Sequence, residues 1–529
     1  MTLHRRQTKF ELDLLSRKAM WNADLPIHYL PAEILLHIFE QLVRALLPDK
    51  LPSKLSPPDF KPRRPWAPLM RVCRHWCALI RNGAVFWRDI TISKNIKWFK
   101  LALSRLGNSP IRLQLAADCN LKAVLPTLDA HAGRIEKLIL KGEVRDEDAL
   151  RLESFLSRSF PVLRSLAITM DSTDSELCAV GDNHPGLEWL ELTRASLPWK
   201  KSLLIHLEVL SLTDCILSTA TLPFPDFLDV LEQGQRLRYL HLTEFLSAAL
   251  DPQTSAPHER LVTLPGLQHL ECSDVPSNIA RLMTHLRTPA ISHVELVGDC
   301  NGNVPSTAHA SLLPEYPGTP LPVLQTITRA IIDVTAAQNG LRFSGPLRTS
   351  LELCLLNPDR QYWDEPPWVE QGLQQLTGFL GPALTELEVC GILDVSQETW
   401  DRVFDAFPSL KKLVVREHES GLLPTTMLRS LSAAPARSIS TSAGKGCFAR
   451  VRCPALTYLR IDGWDWGRRG LGRILDCLRV RAAHGASRLE YFGLDGEGER
   501  WVPEIFPILE KYRPRFLAVV DDFELDGWW

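Results

Sequence analysis

The sequence predicts an α/β protein: a short all-helical module at its N-terminal end, followed by an irregular solenoid of parallel strands joined by return helices. Three observations lead there. Near the start, two amphipathic runs with helical spacing are followed by a third apolar element. From about residue 100 onward the phrase Leu-x-x-Leu-x-Leu returns in eleven variants. Between copies the apolar residues change from a two-residue to a helical period.

Composition allows this. At 529 residues the chain exceeds one hydrophobic core, so it is either two or three domains or one extended repeat array. With 45% hydrophobic and 23% charged residues it has the make-up of a soluble globular protein. A formal net charge of −2 gives no global case for nucleic acid or an anionic membrane. Locally the balance shifts. Residues 61–100 carry ten Lys/Arg against the single acid Asp89, which suits an acidic protein partner, and the last forty residues carry ten acids against four bases. The twelve cysteines form no CxxC pair and no Cys/His set at zinc spacing; Cys73 and Cys77 read as buried thiols. No signal-peptide pattern and no membrane-length apolar run appears, so the expectation is the reducing cytosol or nucleus.

In residues 30–42, LPAEILLHIFEQL, Pro31 and Glu33 suit the first turn of a helix. Ile34, Leu35, Ile38, Phe39, Leu42 and Leu46 recur at helical spacing. The Pro- and Lys-rich stretch from 47 to 65 reads as a loop. A second helix is expected over WAPLMRVCRHWCALIRN, with Leu69, Val72, Cys73, Trp76, Leu79 and Ile80 on one stripe and Asn82-Gly83 ending it. Phe86, Trp87, Ile90 and Ile92 form the third apolar element.

These residues resemble the F-box family: Leu30, Pro31, Glu33, Ile34, Leu35, Ile38 and Phe39, then Val72, Cys73, Arg74 and Trp76, then Phe86 and Trp87. The resemblance covers about residues 25–92, after an N-terminal segment 1–24, and departs from the family in its long insertion 47–65. It implies docking to a Skp-family adaptor, and through it to a cullin, with Leu30, Pro31, Ile34, Leu35, Ile38, Val72, Trp76 and Trp87 as contact residues. Packing of those positions against the chain itself is the alternative.

The phrases from 93 to 529 begin at Ile135, Leu163, Leu187, Leu207, Leu237, Leu267, Ile291, Leu384, Leu410, Leu456 and Leu489. Their later two apolar residues lie two apart and so face one side of a short strand. Helical stretches such as DALRLESFLSRSF, PDFLDVLEQ, NIARLMTHL, QETWDRVFDAF and RILDCLRV would cover that side. Period and phrase resemble leucine-rich repeats, although only Cys215 takes that family's Asn/Cys position. A single doubly wound α/β domain remains the other reading. Between Gly298 and Ala383 no clear phrase occurs: a long loop is expected at about 298–325, and SLELCLLN near Leu351 reads as a degenerate copy. Taken whole, the chain resembles fungal-type F-box proteins with a leucine-rich-repeat-like array.

No catalytic motif stands out. Trp464 to Gly472 lacks the Lys-Ser/Thr of a phosphate loop and reads as a turn, and His206, His241 and His269 read as strand-face residues. The expectation is a non-catalytic receptor subunit of an SCF-type ubiquitin ligase that needs no cofactor or metal and binds a protein target. A repeat scaffold acting outside a ubiquitin ligase, and an enzyme of unknown type, are the alternatives.

Overall fold

The computed structural model describes residues 14, 16–18, 20–22, 24–45, 66–94, 96–172, 177, 183–217, 221–257, 259–300, 309–313, 321–335, 338–356, 368–417, 423–433, 451–462, 468–495 and 506–526. The Pro-rich insertion, most of the N-terminal segment, parts of the 298–325 loop and Trp464–Gly467 lie outside them. The chain divides into two compact units, residues 1–206 and 207–529. Among the described residues no helix is long and apolar enough to cross a membrane.

The first unit starts with helices α1 (Ala32–Ala45) and α2 (Arg74–Asn82). Strands β1 (Asp89–Ile92), β2 (Ile111–Leu115), β3 (Ile135–Val144), β4 (Ser165–Met170) and β5 (Trp189–Thr193) follow, with α3 (Ile96–Leu106), α4 (Leu121–Asp129) and α5 (Asp146–Leu156) between the first four. Each strand pairs in parallel with the next in sequence, as helical crossovers require. Alternation decides which face is covered: Ile111, Leu113 and Leu115 are buried while Arg112 and Gln114 are partly exposed. In β3 the register shifts between Ile139 and Glu143. Gly142 lies in that irregularity, where a Cβ would stand 2.3 Å from Ala117 Cα, so only glycine fits.

The second unit contains β6 (Val209–Thr213), α6 (Phe224–Leu231), β7 (Tyr239–Thr243), β8 (His269–Asp274), α7 (Pro276–Thr284) and β9 (His293–Asp299). Then come β10 (Arg329–Val334), β11 (Gln338–Ser344), β12 (Ser350–Leu356), α8 (Trp368–Phe379), β13 (Glu386–Gly391), α9 (Gln397–Ala406) and β14 (Lys412–Glu417). The unit ends with α10 (Thr425–Ser432), β15 (Tyr458–Asp462), α11 (Arg468–Ala483), β16 (Leu489–Asp495), α12 (Phe506–Leu517) and β17 (Val520–Asp526). Helices α8 to α11 pack side by side in chain order. The first apolar residue of every predicted phrase is buried, including Leu163, Leu237 and Leu410 at 0% exposure.

The stretch without a phrase departs from expectation. Beyond the expected loop it holds three strands laid down in reverse: β9 pairs with β12, β12 with β11, β11 with β10 and β10 with β13. Strand β11 runs antiparallel to both neighbours, while β12 and β10 stay parallel to β9 and β13. Ser350–Leu356 is therefore a full strand. Strands β2 and β17 were also not foreseen, and Gly470 and Gly472, read as part of a turn, lie inside α11.

Candidate docking site

The N-terminal helices show how far their sequence is satisfied internally. A 3₁₀ turn, Pro26–Tyr29, delivers Leu30 in an extended conformation, and α1 begins at Ala32. On α1, Leu35 and Phe39 are fully buried, one turn apart. A second stripe, Ile34, Ile38 and Leu42, continues the line from Leu30 at four-residue spacing. Ile34 is 48% exposed, Leu42 45% and Leu30 37%, with Ile38 half-buried. One helix thus carries two apolar stripes, of which the described residues bury only one. Large apolar side chains exposed in a row beside a packed core are a candidate interaction face.

Helix α2 is shorter than its sequence suggests. Instead of running through residues 66–82, it begins at Arg74, because Cys73 adopts an extended conformation (φ −156°, ψ 169°) and caps it, its sulfur accepting from the Trp76 amide. Residues Leu69–Arg71 form a separate 3₁₀ turn, which leaves Val72 56% exposed. Cys73 and Cys77 are half-buried and not core thiols. His28 Nε2 lies 3.6 Å from Cys73 Sγ, tying the Leu-Pro segment to the start of α2.

Inside the module the aromatic residues do the packing. Phe39 meets Trp76 at 4.6 Å between ring centroids. The Trp87 indole donates to Ile80 O at 2.9 Å, and its ring lies 5.1 Å from Trp66 and 5.4 Å from Trp98 of α3. Gly83 ends α2 where a Cβ would press on Leu36 and Phe86 at 3.1 Å.

Of the eight residues expected to meet a partner, Leu30, Pro31, Ile34 and Val72 are exposed, and Ile38 and Trp76 are half-buried. Leu35 and Trp87 are interior, at 0% and 5% exposure, and shape the core behind the face. Leu42 belongs to the exposed stripe and was not among the eight; its four-residue spacing from Ile38 was the available signal.

The same module exposes positive charge. Arg71, Arg74, Arg81, Lys94, Lys97 and Lys100 are exposed. Arg88 is turned inward, 3.6 Å from Glu40 of α1, beside a groove of about 260 Å³ whose lining includes Val43, Phe86 and Arg112. There Arg112 and Glu136 form a two-point ion pair at 3.0 and 3.1 Å. Their hydrogen bond raises the guanidinium pKa and lowers that of the carboxyl, so each holds the other in its charged form.

No curated relative matches the sequence. The family model described as F-box-like matches residues 27–93, the span from the 3₁₀ turn before Leu30 to the end of β1. With its two-helix packing, exposed Leu30–Ile34 stripe and basic flank, the chain carries an F-box-like domain at residues 27–93.

Proposed function

We propose that this chain is the substrate-recognition subunit of a cullin-RING (SCF-type) ubiquitin ligase, working in the cytosol or nucleus. The supporting observation is the uncovered apolar stripe Leu30, Ile34, Ile38 and Leu42 within the F-box-like domain, with Val72 also exposed. F-box domains typically bind Skp-type adaptors, and burying such side chains contributes on the order of 1 kcal/mol each when they start half-exposed. The exposed lysines and arginines suit an acidic adaptor and speed its approach. The adaptor would connect the chain to a cullin.

The strand-and-helix units of 93–529 are, in this proposal, an irregular leucine-rich-repeat-like solenoid that binds a target protein. The chain supplies no catalytic group. Holding a target lysine near the ubiquitin-charged enzyme raises its effective concentration, and that is the whole mechanism.

Co-purification of the full chain with the adaptor tests the reading. Ile34→Asp, and Leu30→Ala with Pro31→Ala, are expected to abolish capture while leaving the fold intact, because these side chains lie at the surface. Undiminished capture by both variants would overturn it.

A further inference from the structure

The exposed face of the second unit's sheet gathers imidazoles and carboxylates at one place. Register pairs His269 with His293, and His293 with Ser350. Two residues along, His241 pairs with Glu271, and Glu271 with Glu295. All lie on the side opposite the buried leucines. Among them Glu271, His293 and Glu295 each present a donor atom, and the three atoms lie within 4.8 Å of one another.

From this geometry we infer that Glu271, His293 and Glu295 form a binding site for a divalent transition-metal ion of the zinc class. This assignment stands independently of the ligase reading. One imidazole and two carboxylates are donors that zinc accepts, at about 2.0–2.2 Å from the ion, which places donors about 3.3 Å apart around a tetrahedron. Reaching that spacing requires the three donor atoms, now within 4.8 Å of one another, to draw together around the ion. Three protein ligands leave the fourth position open to water or to a donor from a bound molecule.

The surrounding contacts are those that a ligand set requires. His293 presents Nε2 to Glu295 Oε2 at 4.0 Å, while its Nδ1 is hydrogen-bonded to Ser350 Oγ on the far side of the ring. That partner comes from β12, the strand which the reversed insertion places beside β9. Glu271 is held in the same manner: its Oε2 lies 2.8 Å from His241 Nδ1, and His241 Nε2 lies 2.9 Å from Thr243 Oγ1. Hydrogen bonds of this kind, one layer out from the ion, fix ligand orientation, and losing one typically lowers affinity by about 10–100-fold. Cross-strand pairing sets Glu271 beside Glu295, and His293 lies two residues before Glu295 on the same face, so the register of β8 and β9 itself brings the three donors together.

Calorimetric titration of the chelator-treated full chain with Zn²⁺ tests the site, with Co²⁺ as a spectroscopic probe. One ion is expected to bind, weakened at least 100-fold in His293→Ala, at least 10-fold in Glu295→Gln, and about 10-fold in Ser350→Ala. The Co²⁺ complex is expected to show d–d bands without a thiolate charge-transfer band. All three side chains are on the solvent face, so metal-free variants are expected to melt with the wild-type chain. If any does not, the wild-type stoichiometry and Co²⁺ spectrum still decide. No binding, equal binding by His293→Ala and Glu295→Gln, or a thiolate band in the wild-type spectrum would overturn the assignment.

Discussion

The indole of Trp76 lies 4.6 Å from the ring of Phe39, tilted by 55°, and this contact joins α2 to α1. Phe39 is fully buried and Trp76 half-buried, so the pair belongs to the module's own core as well as to the edge of the proposed docking face. Trp76→Ala is therefore expected to destabilise the N-terminal module by about 3 kcal/mol through cavity formation. Its melting and its resistance to proteolysis should fall, and a Phe39/Trp76 double-mutant cycle should show a coupling of about 1 kcal/mol. Loss of adaptor capture by this variant reports folding, whereas loss by Ile34→Asp reports docking. A Trp76→Ala chain as stable as wild type would mean that the indole is held for a partner alone.

Acid is expected to weaken the protein through two interior histidines. His184 stacks on Phe160 at 5.3 Å, and burial pushes its pKa down to about 4. His309, fully buried with Nε2 3.0 Å from Asn339 O, is likewise pushed down to about 4 by burial. Unfolded, both titrate near 6.5, so between that pH and 4 the unfolded chain binds more protons than the native one. Their stabilisation is complete above pH 6.5 and is lost as pH falls toward 4, on the order of 3 kcal/mol each. Urea unfolding at pH 7.5, 6 and 5 should show that decline, and His309→Gln should flatten it by about one proton.

A left-handed turn recurs where strands of the second unit end. Asp214 and Glu244, each directly after a strand-terminal threonine, have φ of 51° and 52°. Each amide donates at 2.8 Å to a strand carbonyl one repeat on, Thr243 O and Ser273 O respectively. An L-residue is strained there and a β-branched one more so. Glu244→Val is expected to lower stability by about 1–2 kcal/mol, whereas Glu244→Gly should leave it unchanged or raise it by up to about 1 kcal/mol. Thermal melting of the two variants distinguishes them; a harmless valine would contradict the strained turn.

The parallel strands were legible because burial imposes a two-residue period that survives substitution: Leu387 and Val389, or Leu459 and Ile461, declare the inward face by spacing alone. Strand β17 was hidden because the single interior ring of Phe523 stands among Asp521, Asp522 and Glu524, so composition outweighed pattern. The order of strands β10 to β12 could not be read from sequence, since the pairings that set it, β9 with β12 and β10 with β13, join strands tens of residues apart and leave no local trace. At the docking face, Ile34 and Leu35 are neighbours of like chemistry, and helical periodicity assigns both to one apolar side. Only the position of α2 over Phe39 decides that Leu35 is covered and Ile34 is not. The cap at Cys73 was missed because Val72 and Trp76 fit a continuous helical stripe, whereas the backbone breaks between them.

Arg481 bonds both the end of α10 and the segment just before β15. Its guanidinium, 3% exposed on α11, donates to Leu431 O at 3.0 Å, Arg452 O at 2.8 Å and Cys453 O at 2.8 Å. Cys453 sits at φ 45°, and Arg452 is itself paired with Asp401 at 2.6 Å and Asp405 at 2.7 Å. Burial lowers the pKa of Arg481, yet an arginine keeps its proton, so the fork of donors is permanent. Arg481→Met is expected to cost about 3 kcal/mol: it relieves a buried charge but strands three carbonyls, each worth about 1–3 kcal/mol when unsatisfied. Arg481→Lys should recover only part of this, since an ammonium on a flexible stem cannot reproduce the planar spread of donors. Urea unfolding of the full chain measures both, and a Met variant as stable as wild type would show that the guanidinium bonds contribute nothing net to the turn.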